Sequence, residues 1–258
     1  MRGTMKFDDL DRQMRVFETA HDVCVLPGIY MAARLDGRNF TRLTKDTCKF
    51  AAPFDVGFRD LMVETARHLM SCGFTVVYGY TESDEISLLF DINENAFSRK
   101  HRKYTSILAG EASARFTALL GRHAAFDCRL CELPNQEFVV DYFRWRAADA
   151  HRNALNAHCY WRLRQDSFSR RAAAQTLEGM SLAEKNELLF RYGLNFNDLP
   201  AWQKRGTGLY WTPVEKEGLN PMSGEKTLTK RRRIFVDMEL PLKDAYETFL
   251  LKLLAASI

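Results

Sequence analysis

Two strand-like runs of this chain meet at an acidic turn, and that junction constrains the fold more than any other stretch. Phe74-Thr75-Val76-Val77-Tyr78-Gly79-Tyr80 is short, β-branched and aromatic, and Ile86 to Phe90 is a second apolar run; neither contains proline. Thr81-Glu82-Ser83-Asp84-Glu85 joins them, so Asp84 and Glu85 are predicted at a strand-turn-strand junction. A second acidic point closes another apolar run, because Gly28 to Leu35 reads as a buried strand that delivers Asp36-Gly37. If the strands place Asp36 beside Asp84, the two form a hard-oxygen site for a divalent metal, the arrangement that phosphoryl and nucleotidyl transfer use. An ordinary hairpin turn also explains Ser83-Asp84-Glu85. Adjacent strand residues face opposite ways, so Asp84 is predicted as the metal ligand and Glu85 as a supporting catalytic carboxylate.

The order of elements sets the fold class. Helical spacing is predicted over 5–20, over 55–72 with Gly73 closing it, and over 96–120, while Phe126 to Leu133 reads as a strand. Strand, helix, two strands, helix, strand is the split βαβ order of an α+β, ferredoxin-like sheet. A long helix rich in aromatics and arginines follows over 137–165. Shorter helices over 169–178 and 181–192 open on serine caps, with Ser181 and Glu184 forming a capping box. Leu209-Tyr210-Trp211 and Arg233-Ile234-Phe235-Val236 are predicted as a small β element flanking a mobile polar loop, 213–230. The expected division is a catalytic part, 5–135, and a helical extension with a C-terminal β/α element, 136–258, packed together intimately.

Composition narrows the partners. At 258 residues with 46% hydrophobic side chains, the chain supports one large domain or two intimate ones. No run approaches a membrane span, and Met1 to Arg12 lacks an apolar leader, so a cytoplasmic protein is expected. Met1-Arg2-Gly3-Thr4 reads as a remnant ahead of a native start at Met5. The formal net charge is only +4, but the cations cluster at 99–103, 162–171, 204–205 and 230–233. Such patches suit a polyanion, nucleic acid or nucleoside triphosphate; solvated helix faces are the other reading. Cys128-x-x-Cys131 has no second zinc-spaced pair, which leaves core and edge thiols as its expected role.

Six segments, in order, resemble the tRNA(His) guanylyltransferase superfamily: Leu35-Asp36-Gly37-Arg38-Asn39-Phe40; Thr81-Glu82-Ser83-Asp84-Glu85-Ile86-Ser87; Phe97-Ser98-Arg99-Lys100-x-x-Lys103; Phe126-Asp127-Cys128-Arg129; Asp141-Tyr142-Phe143-x-Trp145-Arg146-x-x-Asp149-x-His151-x-Asn153; and Lys204-Arg205-Gly206-Thr207. The likeness runs from about residue 13 to 240. His151-Arg152-Asn153-Ala154 departs from the His-Ile-Asn-Asn of eukaryotic members, and the chain looks closer to the bacterial and archaeal guanylyltransferase-like branch.

That resemblance implies a polymerase palm and templated 3′-to-5′ addition of nucleotides to the 5′ end of tRNA, as repair of truncated tRNA or as G addition to tRNA(His). It implies two Mg²⁺ ions held by Asp36, Asp84 and the Gly37 carbonyl. The backbone of Gly37, Arg38, Asn39 and Phe40, with Ser83, would cradle a nucleotide, and Arg99, Lys100 and Lys103 would meet a second triphosphate. His151, Asn153, Lys204 and Arg205 would touch tRNA. GTP, ATP and other NTPs are the implied small partners, and a homotetramer is the implied assembly, to which Tyr142, Phe143 and Trp145 would add exposed aromatic surface. Ser83 serves equally as a plain turn cap, and Tyr142, Trp145 and Trp161 are expected as core or subunit contacts, with base stacking as the alternative. A cyclase, a forward nucleotidyltransferase and a tRNA-binding module are the competing functions.

Overall fold

The computed structural model of the chain describes residues 6–219 and 226–256. The elements in order are α1 (Phe7–Thr19), β1 (Tyr30–Gly37), α2 (Phe40–Arg42), α3 (Val56–Leu69), β2 (Val76–Glu82), β3 (Glu85–Phe90), α4 (His101–Leu120), β4 (Phe126–Leu133), α5 (Gln136–Gln165), α6 (Arg170–Leu177), α7 (Leu182–Arg191), α8 (Ala201–Arg205), β5 (Thr207–Leu219), β6 (Lys226–Asp237) and α9 (Asp244–Ala255). The sheet order β4-β1-β3-β2-β5-β6 contains the split βαβ pattern that the element order predicts.

Strand alternation builds two cores on this sheet. Met31, Ala33, Leu35, Ile86 and Leu88 turn one way and pack with Met62, Ala66 and Leu69 of α3 and Leu108, Ala112 and Phe116 of α4. Ala32, Leu89, Tyr78 and Tyr80 turn the other way, against Val139, Val140 and Phe143 of α5 and Leu250 of α9. Asn135 caps α5 by accepting the Phe138 N–H at 3.1 Å. At 30 residues α5 is about 45 Å long, and its outer half carries Leu155, Cys159 and Leu163 into a third core with α6 and α7. Ser169 caps α6, and the Ser181–Glu184 capping box opens α7.

Three expectations need correction. The segment 213–230 is mostly strand, because β5 and β6 pair continuously from Gly208↔Asp237 to Leu219↔Lys226. Pro213 is tolerated where β6 is the sole neighbour of β5, since β2 pairs β5 only through Thr207–Tyr210. Residues 220–225 lie outside the described residues, as do Met1–Met5. Second, Tyr142 and Phe143 are buried against the sheet, and of the three aromatics only Trp145 is largely exposed. Third, the helix expected over 96–120 is broken. Phe97, Ser98 and Arg99 have φ of 52°, 52° and 57°, and the regular helix begins only at His101.

That break redirects Arg99, expected at a triphosphate. Its side chain points inward, is 5% exposed and donates to the carbonyls of Val25, Ile92, Glu94 and Ile29 at 3.2, 3.3, 2.8 and 2.5 Å. It is the strut that fastens the 20–29 segment to the start of α4. Truncation leaves these carbonyls without their donor, so Arg99→Met is expected to lower stability by about 3 kcal/mol in urea denaturation. A loss under about 1 kcal/mol would mean that the carbonyls find other donors.

Candidate active site

The strand register creates the site. Glu82 on β2 lies opposite Glu85 on β3, Glu85 opposite Asp36 on β1, and Asp36 opposite Asp127 on β4. Directly opposed residues share a face, so four acids form one row across four strands on the α5 side of the sheet. Asp84 stands just beyond the row, in the two-residue turn where Ser83 has φ 48°. The Asp84 carbonyl accepts the Gly37 N–H at 3.0 Å, which ties the turn to the end of β1. The Ser83 hydroxyl donates to Asp84 Oδ1 at 3.1 Å.

Like charges so aligned repel, and three arginines answer them. Arg34 bridges Asp36 and Glu85 at 3.7 and 3.5 Å. Arg146 on α5 reaches Glu85, Asp149 and Glu82 at 2.6, 3.1 and 3.7 Å. Arg129 lies 3.7 Å from Asp127. Burial first, then the Glu85 charge, pushes the Glu82 carboxyl up to about 8. Burial also raises Glu85, against the pull of Arg146 and Arg34. Asp84 is raised by burial and by the neighbouring charge of Asp36; among the described residues no cation pairs with Asp84.

This donor set fits Mg²⁺. It offers two close carboxylates, one of them lacking a countercharge, beside a cleft wide enough for substrate phosphate. Among the described residues no three His, Cys, Asp or Glu side chains form a ready cage. Mg²⁺, held by one or two carboxylates with water and phosphate, needs none. Cys128 and Cys131 do not converge on one point, since they pack against opposite faces of the sheet.

The cleft, of about 380 Å³, runs from Ser83, Asp84 and Glu85 to Trp161 and Trp202, with Asn153 on its α5 wall. Lys45 lies 5.2 Å from the Trp161 ring and Arg59 4.8 Å from the Trp202 ring. Asn39 adopts φ 60° at the start of α2. Among the described residues no backbone acceptor takes the N–H groups of Asn39, Phe40 and Thr41, whereas that of Arg38 is bound to the Ala125 carbonyl at 2.8 Å. Gly37 is required by its neighbour's ring, because a Cβ there would stand 2.5 Å from Phe40.

The remaining expected site residues scatter. Lys100 and Lys103 sit at the far end of the sheet: Tyr104, one turn into α4, packs on Phe90, and Glu85 to Phe90 spans roughly 17 Å. Lys100 pairs with Asp22 at 2.8 Å, and Arg102 binds the same carboxylate, which the two cations hold down at about 2. His151 packs edge-on to Phe196, and burial, then Lys204 and Arg205, lower its pKa. Lys204 is 6% exposed and donates to the Asn197 carbonyl at 2.5 Å; Arg205 donates to that of Leu240 at 2.8 Å. These two cations are engaged internally, so of the four expected tRNA contacts only Asn153 lines the cleft. Missed from sequence were Arg34, Glu82 and Arg146 around the carboxylates and Lys45 and Arg59 in the cleft. A signal existed for Glu82, which precedes Glu85 by three residues across a tight turn.

Comparisons with known proteins are consistent with one another. Residues 11–134 match the family described as tRNAHis guanylyltransferase, and residues 137–239 match the Thg1 C terminal domain. The chain is 33% identical over 237 residues to a probable tRNA(His) guanylyltransferase of Mus musculus, covering 85% of this chain and 78% of that one. The counterpart from Homo sapiens is 34% identical over 238 residues, with the same coverages of 85% and 78%. Among solved structures, a bacterial tRNA(His) guanylyltransferase (Thg1)-like protein in complex with ATP superposes with a TM-score of 0.74 at 26% identity, covering 95% of this chain and 99% of that one. The complex with GTP gives 0.72 at 26% identity, covering 96% and 99%.

The raised Asp84 carboxyl makes a stability prediction. The folded protein favours its protonated form, so this group's contribution declines as pH rises from the unfolded value through the higher folded one. In chelator, Asp84→Asn is therefore expected to raise the melting temperature at neutral pH, and the gain should vanish in acid, where wild type is also protonated there. A variant that melts lower than wild type at neutral pH would show that Asp84 is a structural anion.

Proposed function

Because this chain belongs to the tRNAHis guanylyltransferase family, and is therefore a nucleotidyltransferase, we propose that it adds nucleotides to the 5′ end of tRNA in the 3′-to-5′ direction under template control. The observation that carries this reading is the Asp36–Asp84 pair beside a phosphate-sized cleft. The 5′-monophosphate of tRNA is first joined to the α-phosphate of ATP or another NTP, with release of pyrophosphate. The 3′-hydroxyl of the incoming nucleotide then attacks the activated 5′-phosphate, losing its proton as the nucleoside monophosphate leaves. Asp36, Asp84 and the Gly37 carbonyl would hold two Mg²⁺ ions, whose chemistry there would be Lewis-acid charge for the hydroxyl and the leaving group.

The chain's own groups do the positioning. The N–H groups of Asn39, Phe40 and Thr41 would donate to phosphate oxygens, a role that backbone N–H groups next to a left-handed residue commonly take. Ser83 keeps the Asp84 carboxylate oriented through its hydroxyl. Lys45, Arg59 and the aromatic walls shield the substrate from water, and Asn153 faces the RNA end. Lys100 and Lys103 form a separate polyanion contact at the other end of the sheet. His151 acts through its neighbours in the α8 region. ATP and GTP, named in the bacterial relatives' complexes, are the first nucleotides to test. Cytoplasm, where tRNA and NTPs meet, is the proposed location; no helix among the described residues is long and apolar enough to cross a membrane.

A homotetramer belongs to the proposal. One cleft engages only the end of a tRNA whose body is far longer. The support is α1, whose Phe7, Leu10, Met14 and Phe17 are all exposed on one stripe and bury nothing within the chain. Light scattering at micromolar concentration is expected to give four copies. A monomer that still adds nucleotides would overturn the shared-tRNA assembly and spare the chemistry.

Incubating 5′-truncated tRNAs with each NTP and Mg²⁺ is the direct test. Asp36→Ala and Asp84→Ala are each expected to slow 5′ addition by at least about a thousandfold with the fold retained. Near-normal addition by either variant sinks the metal assignment. Cyclic nucleotide or 3′-extended product would instead point to a cyclase or forward polymerase, and binding without product to a tRNA-binding module.

A further inference from the structure

Arg146 is the centre of a dense charge cluster, with three carboxylates against one guanidinium. Its side chain is 2% exposed, yet Glu82, Glu85 and Asp149 all crowd one nitrogen, Nη2. Its Nε is buried with no partner, and the Trp145 ring lies 4.6 Å from the guanidinium carbon. As a stability device this is poor, because a buried ion cluster is often matched or bettered by apolar side chains of similar volume. Its location is more informative. Glu85 is directly opposite Asp36 on the same face, and Arg34 lies between their carboxylates. Released from Arg146, Glu85 keeps only the longer 3.5 Å contact with Arg34 and stands opposite Asp36 as a third oxygen donor in reserve.

We propose that Arg146 is a positioning residue that holds Glu82 and Glu85 against α5, so that Asp36 and Asp84 alone face the cation and a coordination position stays open for substrate phosphate. The inference rests on the reading of Asp36 and Asp84 as the cation site. An oversupplied site would bind the bare ion more tightly and leave less room for the nucleotide's oxygens. Arg146 thus acts through other residues and does not itself touch substrate.

The test uses Mn²⁺ as the probe, titrated into the full chain without nucleotide and followed by the electron paramagnetic resonance of the free ion. Arg146→Met alone leaves Glu82, Glu85 and Asp149 without their shared donor and is at risk of misfolding, so it is paired with Glu82→Gln, which removes one crowded carboxyl in the neutral form that its raised pKa already favours. The double variant is expected to bind Mn²⁺ about tenfold more tightly than wild type while 5′ addition falls ten- to a hundredfold, roughly the range that residues behind metal ligands command. Adding Glu85→Gln to it should cancel the gain in Mn²⁺ affinity, because Glu85 is the donor that was released. Arg146→Lys, which keeps the charge and loses the planar fork, should fall between wild type and the double variant. A folded double variant whose Mn²⁺ isotherm and addition rate both stay within about twofold of wild type overturns the inference and leaves Arg146 a structural ion. A gain in affinity that survives Glu85→Gln overturns it too. Wild type that binds no Mn²⁺ overturns both this inference and the cation-site reading beneath it.

Discussion

The antiparallel register of β1, β3 and β2 is the constraint on which the rest of the site depends. It is set by burial, because Leu35, Ile86 and Leu88 must all enter the α3–α4 core, and a slip of one residue would turn each strand over. The same register that satisfies this core places Glu82, Glu85 and Asp36 in one line on the opposite face. Apolar packing on one side of the sheet thus supplies the force that holds acids together on the other. The cluster's repulsion is contained by Arg34 and Arg146, and Arg146 is available because α5 lies across that face.

Helix α5 also joins the sheet to α6 and α7. Its first half is anchored by Val139, Val140 and Phe143, its second by Leu155, Cys159 and Leu163, and Asn153 and Trp161 reach the cleft from this second half. A continuous helix transmits position well, since bending it would break its internal hydrogen bonds. The wall of the cleft is therefore registered against the carboxylates by a single rigid element.

Much of this was legible in the sequence where local pattern and tertiary demand agree. The alternating strands, the Ser181 capping box and the Asp84 turn are short-range features, and the order of elements was enough to give the sheet its split βαβ core. What was not legible depends on partners distant in sequence. Arg99 looks like part of a basic helix face until its position after two residues of positive φ turns it toward four carbonyls. Lys204 looks like a phosphate contact until Asn197 is found beside it. The β5–β6 arm reads as a loop because Pro213 and Gly218 are turn-prone, whereas cross-strand pairing overrides them. Arg146 does not stand out among the five arginines of its helix, since nothing local in the sequence reveals the three carboxylates that converge on it.

Phe40 has a place in two environments. Its ring packs with Phe58, Phe116 and Phe126, at centroid distances of 6.1, 5.1 and 4.9 Å, and presses on Gly37 from below. Its backbone belongs to the rim of the cleft. The depth of that aromatic cluster therefore sets the height at which the rim stands beside Asp36. Resizing that buried ring would move the Phe40 backbone on the rim, and drift in the core would surface as a displaced rim before it surfaced as a loss of fold.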